Sequence, residues 1–182
     1  VWASRLERAI EDQPPSALFA LEVAAALGTH VDPLEWRAVC RQRNLQVGTG
    51  LLEHLARHQL VHAPQEEAGS SQGWSFVHEM LRESLERSAR EHGRWQEVNL
   101  ACAAMLHRRY RSDHPGVAER KSRHLISAGT LEQAIEPLML AADACFHRSE
   151  YQAAHERLDR REEILTRSSC VPDAARWGEG WV

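Results

Sequence analysis

Leu60-Val61-His62-Ala63 and Trp74-Ser75-Phe76-Val77 are two short apolar runs on either side of a polar stretch that contains Glu66-Glu67-Ala68-Gly69-Ser70-Ser71-Gln72-Gly73. In the second run Trp74 and Phe76 alternate, as a strand with one covered face requires. The first run reads as a short strand of its own, and the Gly- and Ser-bearing stretch as the loop between them, so residues 60–77 are expected to form a β-hairpin.

Working upstream, three helices precede the hairpin. Leu18, Leu21 and Ala25 recur at helical spacing in Ala17–Leu27, which is entered through the stiff Pro14-Pro15-Ser16 and stopped at Gly28. Asp32 is a carboxylate cap for the next helix, with Pro33 at its favoured first position and Trp36, Val39 and Cys40 as its inner face. Gly48-Thr49-Gly50 leads into a third helix that turns Leu51, Leu52 and Leu55 inward. Three short helices followed by a hairpin is the layout of a winged helix. Downstream, Met80, Leu81, Leu85 and Ala89 mark a further helix ending near His92-Gly93, so residues 1–92 are expected to form a winged-helix module.

From residue 93 to 182 the pattern is wholly helical. Trp95, Val98, Cys102, Met105 and Leu106 mark one long helix, ended by a turn at Ser112–Gly116. Val117, Arg120, His124, Leu125 and Ala128 mark a second, closed by Gly129. Thr130 is expected to cap a third, in which Pro137 should produce a kink or limit the start. Glu150-Tyr151 opens a fourth through Ala154, Leu158 and Leu165, and Pro172 opens a fragment holding Trp177 and Trp181. The window 135–168 partly fits a tetratricopeptide repeat of about 34 residues, with small residues at Ala142 and Ala154. Arg161 departs from that pattern, because it stands where a small residue is usual. The fold class is thus mainly α: a winged helix followed by an antiparallel array of TPR-like helical hairpins, truncated at its C-terminal end.

Composition narrows the function. The 182 residues carry 22 Lys+Arg against 26 Asp+Glu, a formal charge of −4. Neither half has the basic excess on which phosphate-backbone binding relies. The helix Gly50–Gln59, the candidate DNA-reading helix, offers Glu53, His54, Arg57 and His58, and Glu66-Glu67 in the expected wing would repel phosphate. DNA is therefore a disfavoured partner. Every apolar run is broken by Arg, Glu or His well short of the ~20 residues a membrane span needs, so no membrane is expected. Four separated cysteines (Cys40, Cys102, Cys145 and Cys170), with no CxxC pair, fit a reducing cytoplasm, and Cys102 and Cys145 read as small core residues. His54 and His58 have the i,i+4 spacing of a metal pair but lack a third ligand on the same face, so no metal is expected. The Arg108-Arg109-Tyr110-Arg111 run and the Arg157, Arg160, Arg161 set read as solvated faces, the second neutralised by Glu156, Glu162 and Glu163. The chain opens with Val1-Trp2 and no leader, and is expected to be an internal piece of a longer polypeptide. No catalytic constellation is present, so the segment is expected not to be an enzyme by itself.

One further stretch carries chemistry. Phe76-Val77-His78-Glu79-Met80-Leu81-Arg82-Glu83 crosses from strand to helix, a place where helix N–H groups favour anions and a histidine can donate to a phosphate. The order winged helix, this segment, then paired helices with Arg123-His124-Leu125, Ala128-Gly129 and Ala141-Ala142 resembles the region that follows the nucleotide-binding domain in STAND-type signalling ATPases. Bacterial members of that group are fused to kinases, cyclases or transcription-factor domains, and plant and animal NOD-like receptors belong to it. Val77-His78-Glu79-Met80-Leu81 looks like the family's "MHD" motif, with Glu79 in place of Asp and Val77 in place of Met.

The resemblance implies that His78 contacts the β-phosphate of ADP in the resting state, with Glu79 orienting it. It implies ATP or ADP with Mg in the parent and no cofactor held by this segment alone, since the phosphate-binding loop GxxxxGK[ST] is absent. The implied partners are the nucleotide-binding domain of the same parent chain and a protein partner or inducer on the helical repeats. The expected function is a cytoplasmic, non-catalytic regulatory arm of a signal-transduction ATPase. The alternatives are a DNA-binding winged-helix transcription regulator and a nucleotide-independent interaction scaffold.

Overall fold

The structure, a computed structural model, describes residues 2–48, 50–62, 73–111 and 115–167. These residues are mainly helical, with one small three-stranded sheet. The chain divides into two compact units, Val1–Met105 and Leu106–Val182. That division falls inside a helix, while the sequence break at 92/93 coincides with the turn before it.

In the first unit the elements are α1 (Trp2–Ile10), α2 (Ala17–Leu27), β1 (His30–Val31), α3 (Pro33–Gln42), α4 (Leu51–Arg57), β2 (Val61–His62), β3 (Trp74–Phe76), α5 (Glu79–Glu91) and the first turns of α6 (Trp95–Arg109). The sequence of α2, ALFALEVAAAL, is apolar nearly all round, and a helix of that kind belongs at the centre of a core. Every residue from Leu21 to Leu27 is buried, and α3 and α5 pack against it. Its end at Gly28 needs φ of 133°, a conformation that disfavours any side chain. Asp32 caps α3 as the sequence predicts: its Oδ1 accepts from the N–H of Leu34 at 2.7 Å and of Glu35 at 3.4 Å. Trp36 lies in the core, and its indole N–H donates to the Ala20 carbonyl at 2.7 Å, so burial leaves no polar atom wasted there.

The sheet is antiparallel in the order β1-β3-β2. Val61 faces Phe76 and His62 faces Ser75, so the expected hairpin forms, with shorter strands than the apolar runs suggest. The loop expected between them, and Ala63, lie outside the described residues. On the other edge of β3, His30 faces Ser75 and Val31 faces Trp74. Neither this strand nor α1 is signalled by the sequence reading. A two-residue strand cannot display alternation, and it forms because the turn after α2 lays Val31 into the core beside Trp74. Trp74 stacks edge-on between Trp36 (5.4 Å between centroids) and Phe76 (5.1 Å).

The second unit contains α7 (Pro115–Ser127), α8 (Leu131–His147) and α9 (Tyr151–Arg167). The connections are short, and α8 packs on both neighbours. Its buried residues are Ala134, Ile135, Pro137, Leu138, Ala141, Ala142 and Cys145, several of them small enough to let helices approach closely. The helix runs through Pro137 from Leu131 onward, so the proline does not limit its start. Thr130 occupies the N-cap position, but its hydroxyl donates back to the Leu125 carbonyl at 3.1 Å instead of capping α8. In α9 Ala154, Ile164 and Leu165 are buried together with Arg161, the residue that departs from the repeat pattern. The fragment with Trp177 and Trp181 lies outside the described residues.

Candidate functional site

The exit from β3 fixes the strand-to-helix junction. The N–H of Val77 donates to the Leu60 carbonyl at 3.1 Å, and His78 then adopts extended angles (φ −131°, ψ 132°) as the N-cap of α5. Its carbonyl accepts from the N–H of Leu81 at 3.0 Å, which closes the first turn. The His78 side chain is exposed and does not cap the helix. An imidazole at that position stands beside the N–H groups of a helix start, a combination able to donate to an anionic oxygen.

Glu79, the first residue of α5, is held elsewhere. Its Oε2 accepts from the Thr29 hydroxyl at 3.0 Å and its Oε1 from Arg82 Nε at 2.7 Å. Arg82 also donates to the Ala25 carbonyl at 3.3 Å, in the last turn of α2, and pairs with Glu86. The hydrogen bond from Arg82, helped by that from Thr29 and opposed by slight desolvation, holds the Glu79 carboxyl below the usual carboxylate range. Glu79 is therefore an anion tied to the end of α2, and its charge, largely neutralised by Arg82, is the local term opposing a phosphate near His78. Met80, next in sequence, is an exposed large apolar side chain.

A second polar constellation has no local signature in the sequence. Glu22 lies in the middle of the apolar α2, with its side chain fully buried. Arg94, just before α6, grips it with both arms of the guanidinium, Nε to Oε2 at 2.7 Å and Nη2 to Oε1 at 2.6 Å. The Ser88 hydroxyl donates to Oε1 at 2.7 Å. The Arg94 guanidinium also lies 5.2 Å from the centre of the Phe19 ring. The fork satisfies a charge that would otherwise be untenable in the core. Its partners stand 66 and 72 positions away, so no local spacing could reveal it.

His54 and His58 stand on α4 and at its C-terminal end with ring centroids 4.6 Å apart, and among the described residues no cluster of three or more His, Cys, Asp or Glu could hold a metal ion. Cys40, Cys102 and Cys145 are buried, and burial pushes the Cys40 thiol up to about 12. Arg108, Arg109 and Arg111 are exposed. Arg160 pairs with Glu163 at 2.6 Å, whereas Arg157 reaches across to Glu119 of α7 and donates to its own helix at Ala153. Phe146 and Tyr151, at the turn from α8 to α9, are exposed and in edge-to-face contact at 5.5 Å. No helix among the described residues is long and apolar enough to cross a membrane.

Compared with known proteins, the chain matches no family model, no curated protein and no solved structure.

Proposed function

We propose that this chain is the winged-helix and TPR-like regulatory segment of a STAND-type signalling ATPase, with His78 as a latch on the ADP of an adjoining nucleotide-binding domain. The observation that carries the reading is the exposed His78 imidazole at the start of α5, where an incoming phosphate would meet both the ring and the helix N–H groups. The order α2-β1-α3-α4-β2-β3, with β3 between β1 and β2, supports the winged-helix part. Close packing of α7, α8 and α9 through small residues supports the TPR-like part. The exposed Phe146–Tyr151 pair is the natural anchor for a protein partner on that array, since aromatic side chains dominate binding hot spots.

Mechanistically, the segment does no bond chemistry. His78 adds a charge-assisted hydrogen bond to the ADP-bound closed state, on the order of 1.5–3 kcal/mol, and loses it when the segment moves away. ADP biases the equilibrium only by that differential affinity. The Thr29–Glu79–Arg82 network holds the first turn of α5 in place so that the ring is presented at a fixed position. Substituting His78→Ala in the full polypeptide and measuring ADP retention tests the reading. Faster ADP loss is expected, and unchanged retention removes the latch.

A further inference from the structure

The first unit has a small recess that the latch does not use. It lies where α1 meets the end of α4 and the start of β2, is lined by Arg5, Arg8, His58 and Leu60, and has a volume of about 140 Å³. Two guanidinium groups and an imidazole surround a floor formed by the buried Leu60. Among the described residues no carboxylate lines it.

The two arginines are positioned rather than loose. Arg5 Nη2 donates to the backbone carbonyl of His58 at 3.3 Å, bridging α1 to the end of α4. Arg8 donates from Nε to the Ser4 carbonyl at 3.1 Å, which leaves both terminal nitrogens of its fork for another acceptor. Glu7 shares α1 with Arg8, Glu11 and Asp12 follow that helix, and among the described residues none of the three forms an ion pair with Arg8. His54 of α4 adds a second imidazole, its ring centroid 4.6 Å from that of His58.

Size bounds the ligand. The recess, of about 140 Å³, has room for a small group such as a tetrahedral phosphate. It is well below the ~300 Å³ at which sites for whole drug-sized ligands begin. The planar fork of an arginine matches phosphate oxygens in pairs, and a bidentate contact of this kind is stronger than a point charge. We propose that the Arg5–Arg8–His58 recess binds a phosphoryl oxyanion, either as inorganic phosphate or as the exposed phosphate of a small phosphomonoester. Arg8 supplies the bidentate contact, Arg5 the bridging charge, and the His58 ring a further donor. This site is separate from His78 and does not rest on the proposed latch.

The test is a titration of the whole chain with inorganic phosphate, and in parallel with a nucleoside monophosphate, at ionic strength matched with chloride, followed by calorimetry or phosphorus NMR. One saturable site is expected for at least one of the two, and Arg8→Ala should weaken it about tenfold or more, the loss expected for a charge-assisted contact. Arg8 is exposed, so this variant should keep its fold, which far-UV circular dichroism verifies. Arg5→Lys, which keeps the charge but loses the fork, should weaken binding as well. Saturation by phosphate identifies the free ion as sufficient, and saturation by the monoester alone identifies the esterified group; both support the recess if Arg8→Ala weakens them to that extent. Absence of saturable binding with both probes, or the same affinity in the folded Arg8→Ala variant, overturns the proposal.

Discussion

At the scale of single residues, the asymmetry between Glu22 and Arg94 leads to a measurable difference. The Glu22 side chain is completely buried, whereas that of Arg94 retains 26% of its exposure. Removing the arginine strands a carboxylate in the core, and Arg94→Ala is expected to cost about 3–5 kcal/mol in urea denaturation. Removing the glutamate leaves a guanidinium that can still reach water, so Glu22→Ala should cost less. Equal losses would mean that the two groups are desolvated to the same degree. Glu79 gives a prediction in pH. Its folded carboxyl is held below the usual range, so its pairing stabilises the fold above that range and is lost as pH falls through the lowered value. The side chain is about half exposed, which makes the contribution small. Glu79→Gln should flatten that acid limb of the stability profile, and parallel curves for the two proteins would show that the pairing contributes nothing.

At the scale of elements, Asp32 shows how a local signal becomes structure. Its carboxylate satisfies two N–H groups that the first turn of α3 cannot satisfy internally. Asp32→Ala should cost about 1 kcal/mol, read as a lower denaturation midpoint with an unchanged slope. Signals of this kind (the cap with Pro33, the stop at Gly28, the alternation of Trp74 and Phe76) were legible because each acts over a few residues. The periodicity of α5 and α8 was legible for the same reason. What could not be read depends on distant partners. The β1 strand exists through its pairing with β3, and Glu22 is tolerable only because Arg94 folds back onto it. Thr130 shows the reverse failure: a residue of cap type in cap position spends its hydroxyl on the preceding helix. At the candidate site, the position of His78 followed from a strand-to-helix boundary visible in the sequence. The engagement of Glu79 with Thr29, fifty positions away, did not.

At the scale of the whole molecule, charge decides which polyanions the chain tolerates. A formal charge of −4 opposes a nucleic-acid backbone, which is held by many cations together, while one recess with two arginines can still take a single oxyanion. The isolated chain is therefore expected to give no gel shift with duplex DNA at low salt, and a salt-sensitive shift would favour the DNA-reading alternative. The aromatic stack of Trp36, Trp74 and Phe76 adds something of practical use. Two indoles held edge-to-face across the seam between α3 and the central strand form a chromophore pair whose coupling depends on their mutual angle. Near-ultraviolet dichroism should thus carry a built-in optical gauge of the sheet, able to report whether an occupant of the Arg5–Arg8–His58 recess loosens or tightens the seam, without any attached dye.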